Sequence, residues 1–164
     1  MTAIKTREGG AATLDCYQNQ GTAKVFSKTI SVKTDDRLEL VNLTKDIREF
    51  AEMTGIKDGY VQVSSLHTTA GLFVNEWQDA LLVDIKSMLS QIVQREGYYR
   101  HNDPEFSDCD RHNADSHLRN VVMGNSLSVP VSDGELVLGT WQSVILAEFD
   151  GPNQRRVFMQ AFGI

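Results

Sequence analysis

The chain has 164 residues, 41% hydrophobic and 23% charged, with a formal net charge of −6. That length and balance suit one globular domain able to bury a core. The acidic excess argues against a nucleic-acid protein held by phosphate contacts, and no apolar run approaches the ~20 residues of a membrane span.

Residues 1–22 are rich in Gly, Thr and Ala and read as an N-terminal arm, with a short strand near Leu14 to Tyr17; residues 23–164 read as a single domain. Residues 25–32 are rich in β-branched side chains and predict a strand, and residues 38–43 a second. Thr44 is a suitable N-cap for a helix over 45–54, with Ile47, Phe50 and Ala51 on its apolar face and Gly55 after its end. Strands follow at 59–66 and 70–75. The clearest helical spacing is Leu81, Leu82, Ile85, Met88, Leu89, Ile92 and Val93, which predicts a helix over 78–96 closed by Gly97. A polar loop precedes a short helix over 114–123. The rest is β: 126–131 and 135–138 flank the hairpin turn Ser132-Asp133-Gly134, and 143–149 and 156–162 flank Asp150-Gly151-Pro152-Asn153. Hairpins outnumber crossovers, so the expected class is α+β, a mostly antiparallel sheet with two or three helices on one face. The N-terminus lacks a signal-peptide core, and Cys16 and Cys109 stand in no CxxC pattern, which points to the cytoplasm and against a disulfide framework.

Three of the four histidines, His101, His112 and His117, fall in one polar window with five Asp or Glu. The fourth, His67, ends a strand-like run and is followed by Thr68 and Thr69. Imidazole, carboxylate, hydroxyl and turn amides together suit a metal, an anion or acid–base work. The His-x10-His-x4-His spacing matches no zinc signature and leaves these alternatives open. Basic spots at Arg155-Arg156 and Arg111 are enough for a small anionic ligand. Glu76 either complements the dipole of the long helix or supplies a carboxylate to the pocket of His67. Glu148 interrupts an apolar strand and needs a partner, for which Arg155 or Arg156 across the turn is available.

His67-Thr68-Thr69-Ala70, Asn75-Glu76, His101-Asn102-Asp103, Ser116-His117-Leu118, Gly124-Asn125-Ser126-Leu127 and Gly139-Thr140-Trp141-Gln142, in that order, resemble the YjbQ family, also called secondary thiamine-phosphate synthase. The resemblance covers about 23–160 and departs from the pattern at 106–111; His112 is not one of the motif histidines. It implies an antiparallel sheet curled as a half-barrel, a homotrimer, and a polar site near the subunit interface around His67, His101 and His117. It further implies thiamine-phosphate formation as a secondary activity: a pyrimidine methyl diphosphate joins a thiazole phosphate and pyrophosphate leaves. On this reading His67, His101, His117 and Glu76 are catalytic, and Thr68, Thr69, Asn75, Ser126, Thr140 and Gln142 bind a small phosphorylated metabolite. The three histidines would act as imidazolium ions or hold a divalent metal, Mg or Zn, with Glu76 as ligand or orienting carboxylate. A non-catalytic trimer binding a phosphorylated metabolite or metal, and a metal-assisted hydrolase or transferase, would use the same groups.

Overall fold

A computed structural model describes residues 18–164, so the strand expected near Leu14 to Tyr17 lies outside the described residues. Eight strands and three α-helices follow one another as β1 (Lys24–Lys33), β2 (Glu39–Asn42), α1 (Thr44–Thr54), β3 (Gly59–Ser65), β4 (Ala70–Glu76), α2 (Asp79–Ile92), a 3-10 turn at Arg100–Asn102, α3 (Ala114–Met123), β5 (Ser126–Ser132), β6 (Glu135–Leu136), β7 (Gln142–Glu148) and β8 (Gln154–Gly163).

All strand pairs are antiparallel. The strands divide into a five-stranded sheet, β1-β8-β3-β5-β6, curled as a half-barrel, and a three-stranded sheet, β2-β7-β4. The class is α+β. One core lies between the sheets: Val61, Val63, Val129, Val157 and Met159 of the large sheet meet Leu72, Val144 and Leu146 of the small one and Ile47 and Phe50 of α1. A second core covers the other face of the small sheet, where Leu82, Ile85 and Leu89 of α2 pack on Ile145, Ala147 and Phe149. β7 is therefore apolar on both faces. That double burial is why Val144-Ile145-Leu146-Ala147 is a continuous apolar run while β3 alternates.

Local signals behave as the residues dictate. Gly55 ends α1 in the left-handed region at φ 64°. Asp133 and Gly134 both take positive φ, 54° and 85°, as a two-residue hairpin turn requires. Thr44 does not cap α1: its hydroxyl accepts from the Val144 N–H and ties the helix to β7. α2 stops at Ile92, four residues short of the expected end, because the buried Val93 turns to extended backbone. No helix among the described residues is long and apolar enough to cross a membrane.

Candidate functional site

His67, His101 and His117 meet at one end of the sheets. His67 lies in the β3–β4 connection, Asp150 in the β7–β8 connection, and the segment from Arg100 to His117 folds over both. A cleft of about 430 Å³ opens there, lined by His67, Thr68, Thr69, His101, Cys109, Arg111, Asn113, His117, Asp150 and Arg155, with Leu66 at its rim.

Arg155 is the buried base of this cleft. It is 5% exposed, and its guanidinium is paired with the fully buried Glu148. Its Nη2 also donates to Thr69 Oγ1 at 3.0 Å. Glu148 is further held by the Thr34 hydroxyl and the Asp150 N–H. The turn above it is held by charge. Asp150 Oδ1 accepts from Arg37 at 3.0 Å, and Oδ2 accepts from Asn113 at 2.7 Å and pairs with Arg111 at 3.0 Å. Arg37 reaches on to Asp115 in the first turn of α3, and Arg119 Nη1 lies 3.2 Å from the other Asp115 oxygen as an ion pair without hydrogen-bond alignment. This chain of charges, centred on the buried Asp115, Asp150 and Arg119, docks α3 against the β7–β8 turn, with Ser116 donating to the Phe149 carbonyl at 2.6 Å. Asn102 closes the remaining gap. Its side-chain oxygen accepts from the Ala114 N–H at 3.0 Å, which brings the 3-10 turn carrying His101 onto the start of α3. The His101 and His117 rings then stand edge to face, 5.0 Å apart at 85°.

The protonation states follow from these surroundings. Burial, then the Arg155 and Arg156 charges, hold His67 below the ordinary imidazole range. Burial, then His101, do the same for His117, against the opposing pull of Asp150. The Arg156 backbone N–H donates to His67 Nε2 at 2.8 Å. A neutral ring with that lone pair occupied carries its proton on Nδ1, and so remains a donor.

The expected metal centre does not fit this arrangement. Among the described residues no three His, Cys, Asp or Glu side chains come together as a ligand set. His67 Nε2 is already an acceptor, the Asp150 and Glu148 oxygens are committed to cations, and two arginines line the same cleft. His67, His101 and His117 share a cleft without sharing a metal geometry.

The other predicted residues divide. Thr68 and Thr69 line the cleft. Ser126 pairs with Ser64 at the near end of β5 but is absent from the lining. The expectation that Glu76 shares a pocket with His67 is corrected. β3 and β4 lie in different sheets, and Glu76 ends β4, roughly 20 Å of strand beyond Ala70. Asn75 and Glu76 are paired with Ser143 and Gln142 of β7, and Gln142 accepts from the Gly139 N–H, so Asn75, Glu76, Thr140 and Gln142 gather at the far end of the small sheet. His112 is exposed, at φ 49°, and lines a separate hollow. Sequence reasoning missed Asp150, Asn113, Arg37 and Asp115, whose role depends on contacts 37 to 113 residues apart.

A family model for UPF0047 YjbQ-like proteins matches residues 28–164. The chain belongs to the UPF0047 YjbQ-like family. A UPF0047 protein of Methanothermobacter thermautotrophicus is 40% identical over 140 residues, covering 85% of this chain and 94% of its own length. The UPF0047 protein YugU of Bacillus subtilis is 33% identical over 139 residues, covering 83% and 98%. A crystal structure of a YbjQ-like protein of unknown function from Sulfolobus solfataricus superposes with a TM-score of 0.81 at 31% identity, covering 87% of this chain and all of that one. The solved YjbQ-like fold and the half-barrel agree.

In this YjbQ-like cleft the depressed His117 gives a pH signature, while His67 stays neutral because a proton on its Nε2 would face the Arg156 N–H. A dianion seated beside His117 would favour the imidazolium, so binding would take up a proton and affinity would rise as pH falls. With sulfate, which keeps its charge across the histidine range of about pH 5 to 8, affinity should rise by up to roughly tenfold per unit by which the anion lifts a histidine pKa. Calorimetric titrations at several pH values check this; an affinity independent of pH would mean that no histidine becomes charged on binding.

Proposed function

We propose that residues 23–164 act as one unit, in the cytoplasm and as a homotrimer, that binds a phosphorylated metabolite in the His67–His117 cleft and promotes thiamine-phosphate formation there. The supporting observation is the set of donors gathered in the cleft. In a chain of net charge −6, its lining brings together the guanidiniums of Arg111 and Arg155, held by Asp150 and by the buried Glu148, with His67, His101 and His117. His67 Nδ1–H and the Thr68 hydroxyl add neutral donors. Such a set neutralises the charge of a diphosphate, and most strongly as the charge grows during departure.

In the proposed reaction the C–O bond between the pyrimidine methylene and the diphosphate breaks, its electron pair leaving with pyrophosphate. The lone pair of the thiazole nitrogen forms the new C–N bond. No proton moves at the reacting atoms, so the protein needs no strong base. It has to hold the leaving group and exclude water. Incubating the protein with the two substrates and separating products by chromatography should yield thiamine phosphate at a slow rate. Tight pyrophosphate binding without product would leave a binding protein in place of a synthase.

The trimer has its own support. Trp141 is 72% exposed beside Thr140 and Gln142, at the end of the small sheet where Asn75 and Glu76 also lie. A large exposed aromatic suits an interface. In such an assembly Asn75, Glu76, Thr140 and Gln142 would reach substrate only in the cleft of a neighbouring copy. Light scattering should give three times the chain mass at micromolar concentration, and a monomer mass would overturn the assembly.

A further inference from the structure

Behind the two paired histidines lies a second, larger hollow. It measures about 580 Å³, and its walls are Tyr98, Tyr99, Ala114 and Leu118 together with the same His101 and His117 that line the anion cleft. Arg100 borders it too, but its guanidinium sits 5.2 Å from the centre of the Phe106 ring. The chemistry of this groove differs from that of the cleft. The Tyr98 hydroxyl donates to Asp103 at 2.9 Å and the Tyr99 hydroxyl to the Gln94 carbonyl, so both phenol protons are already donated within the chain. The groove keeps aromatic rings, a methyl group and a leucine side chain. Tyr98 is 74% and Leu118 42% exposed.

We infer that this groove is the ring subsite of the ligand whose phosphate occupies the adjoining cleft, and that Tyr98 and Leu118 select a planar, uncharged aromatic or heteroaromatic group. The inference rests on the phosphate reading of the cleft. His101 and His117 belong to both hollows, so a phosphate ester held on the cleft side places its organic substituent against the edge-to-face imidazole pair. A flat ring there gains apolar and ring–ring contact on both walls. A polyol gains no such ring contact there, and that difference discriminates against it.

The test compares three probes by calorimetry: inorganic phosphate, benzyl phosphate and glycerol 3-phosphate. Wild type should bind benzyl phosphate at least about tenfold more tightly than glycerol 3-phosphate, the size of one well-placed ring contact. The double variant Tyr98→Ser with Leu118→Ser should lose that preference and keep its affinity for inorganic phosphate, since both side chains are exposed and contribute little to folding. Equal affinity for the two esters in wild type, with inorganic phosphate bound, overturns the ring subsite alone. So does a preference that survives the double variant, including the case where that variant only changes the oligomeric mass. Failure of inorganic phosphate to bind overturns the phosphate reading of the cleft and the ring subsite with it.

Discussion

Replacing Arg155 by alanine should lower the unfolding free energy by about 3–5 kcal/mol and abolish pyrophosphate binding together. Arg155 is 5% exposed and Glu148 is fully buried, so truncating the arginine leaves a carboxylate in the core with its main counterion gone. Thr69 loses its contact with Nη2 in the same step, and Thr69 lines the cleft. For a chain of this size each kcal/mol shifts the melting temperature by roughly 2–4 °C, so the effect is easily read in a thermal scan. The paired variant Glu148→Gln with Arg155→Met separates the two roles. Removing both charges restores most of the stability, because a buried ion pair is weakly stabilising against neutral groups of similar volume, yet anion binding stays lost. A paired variant that binds pyrophosphate as wild type does would make Arg155 a purely structural residue.

Asp115→Ala should be about as damaging, again roughly 3–5 kcal/mol. Asp115 is fully buried and stands between Arg37 and Arg119, the latter only 4% exposed and donating to the Val93 carbonyl. Burial already pushes the Arg119 guanidinium below its usual range, and Asp115 is the main group opposing that shift. Without the carboxylate the buried Arg119 loses its ion-pair partner, Arg37 keeps only Asp150 as counterion, and the first turn of α3 loses an acidic residue at its N-terminus. α3 carries His117, so the anion site should weaken along with the fold. Denaturant titration of the variant checks the stability, and a loss below about 1 kcal/mol, the size of an exposed ion pair, would contradict the buried network.

Much of the architecture is legible along the chain. Helix α3 is bounded as predicted because Gly124 and the polar window end the apolar spacing on either side, and the β5–β6 turn follows from Asp133-Gly134. The partition into two sheets is not legible. The residue pattern of β3 and β4 fits a hairpin, and only the two apolar faces of β7 require a separate small sheet covered by α2. That partition moves Glu76 away from His67. The His67–Thr68–Thr69 turn, His101 and His117 are visible because titratable groups stand where a core would need none. Glu148 is visible for the same reason, as a charge inside an apolar strand, with Arg155 or Arg156 as its partner; the structure selects Arg155. Asp150, Arg37 and Asp115 are ordinary surface-type residues in sequence and acquire their function through long-range ion pairs. The histidine spacing is equally silent on whether the cleft favours a cation or an anion. That depends on Arg156 occupying His67 Nε2 and on the carboxylates being spent on arginines.

A crystal structure of the protein grown with pyrophosphate tests the proposed binding of phosphate in this cleft most directly. The predicted result is a phosphoryl group between His67 and Arg155, with oxygens within about 2.7–3.2 Å of His67 Nδ1 and of a guanidinium nitrogen of Arg155 or Arg111. A metal ion bound jointly by His67, His101 and His117, or pyrophosphate seated away from this cleft, would contradict it.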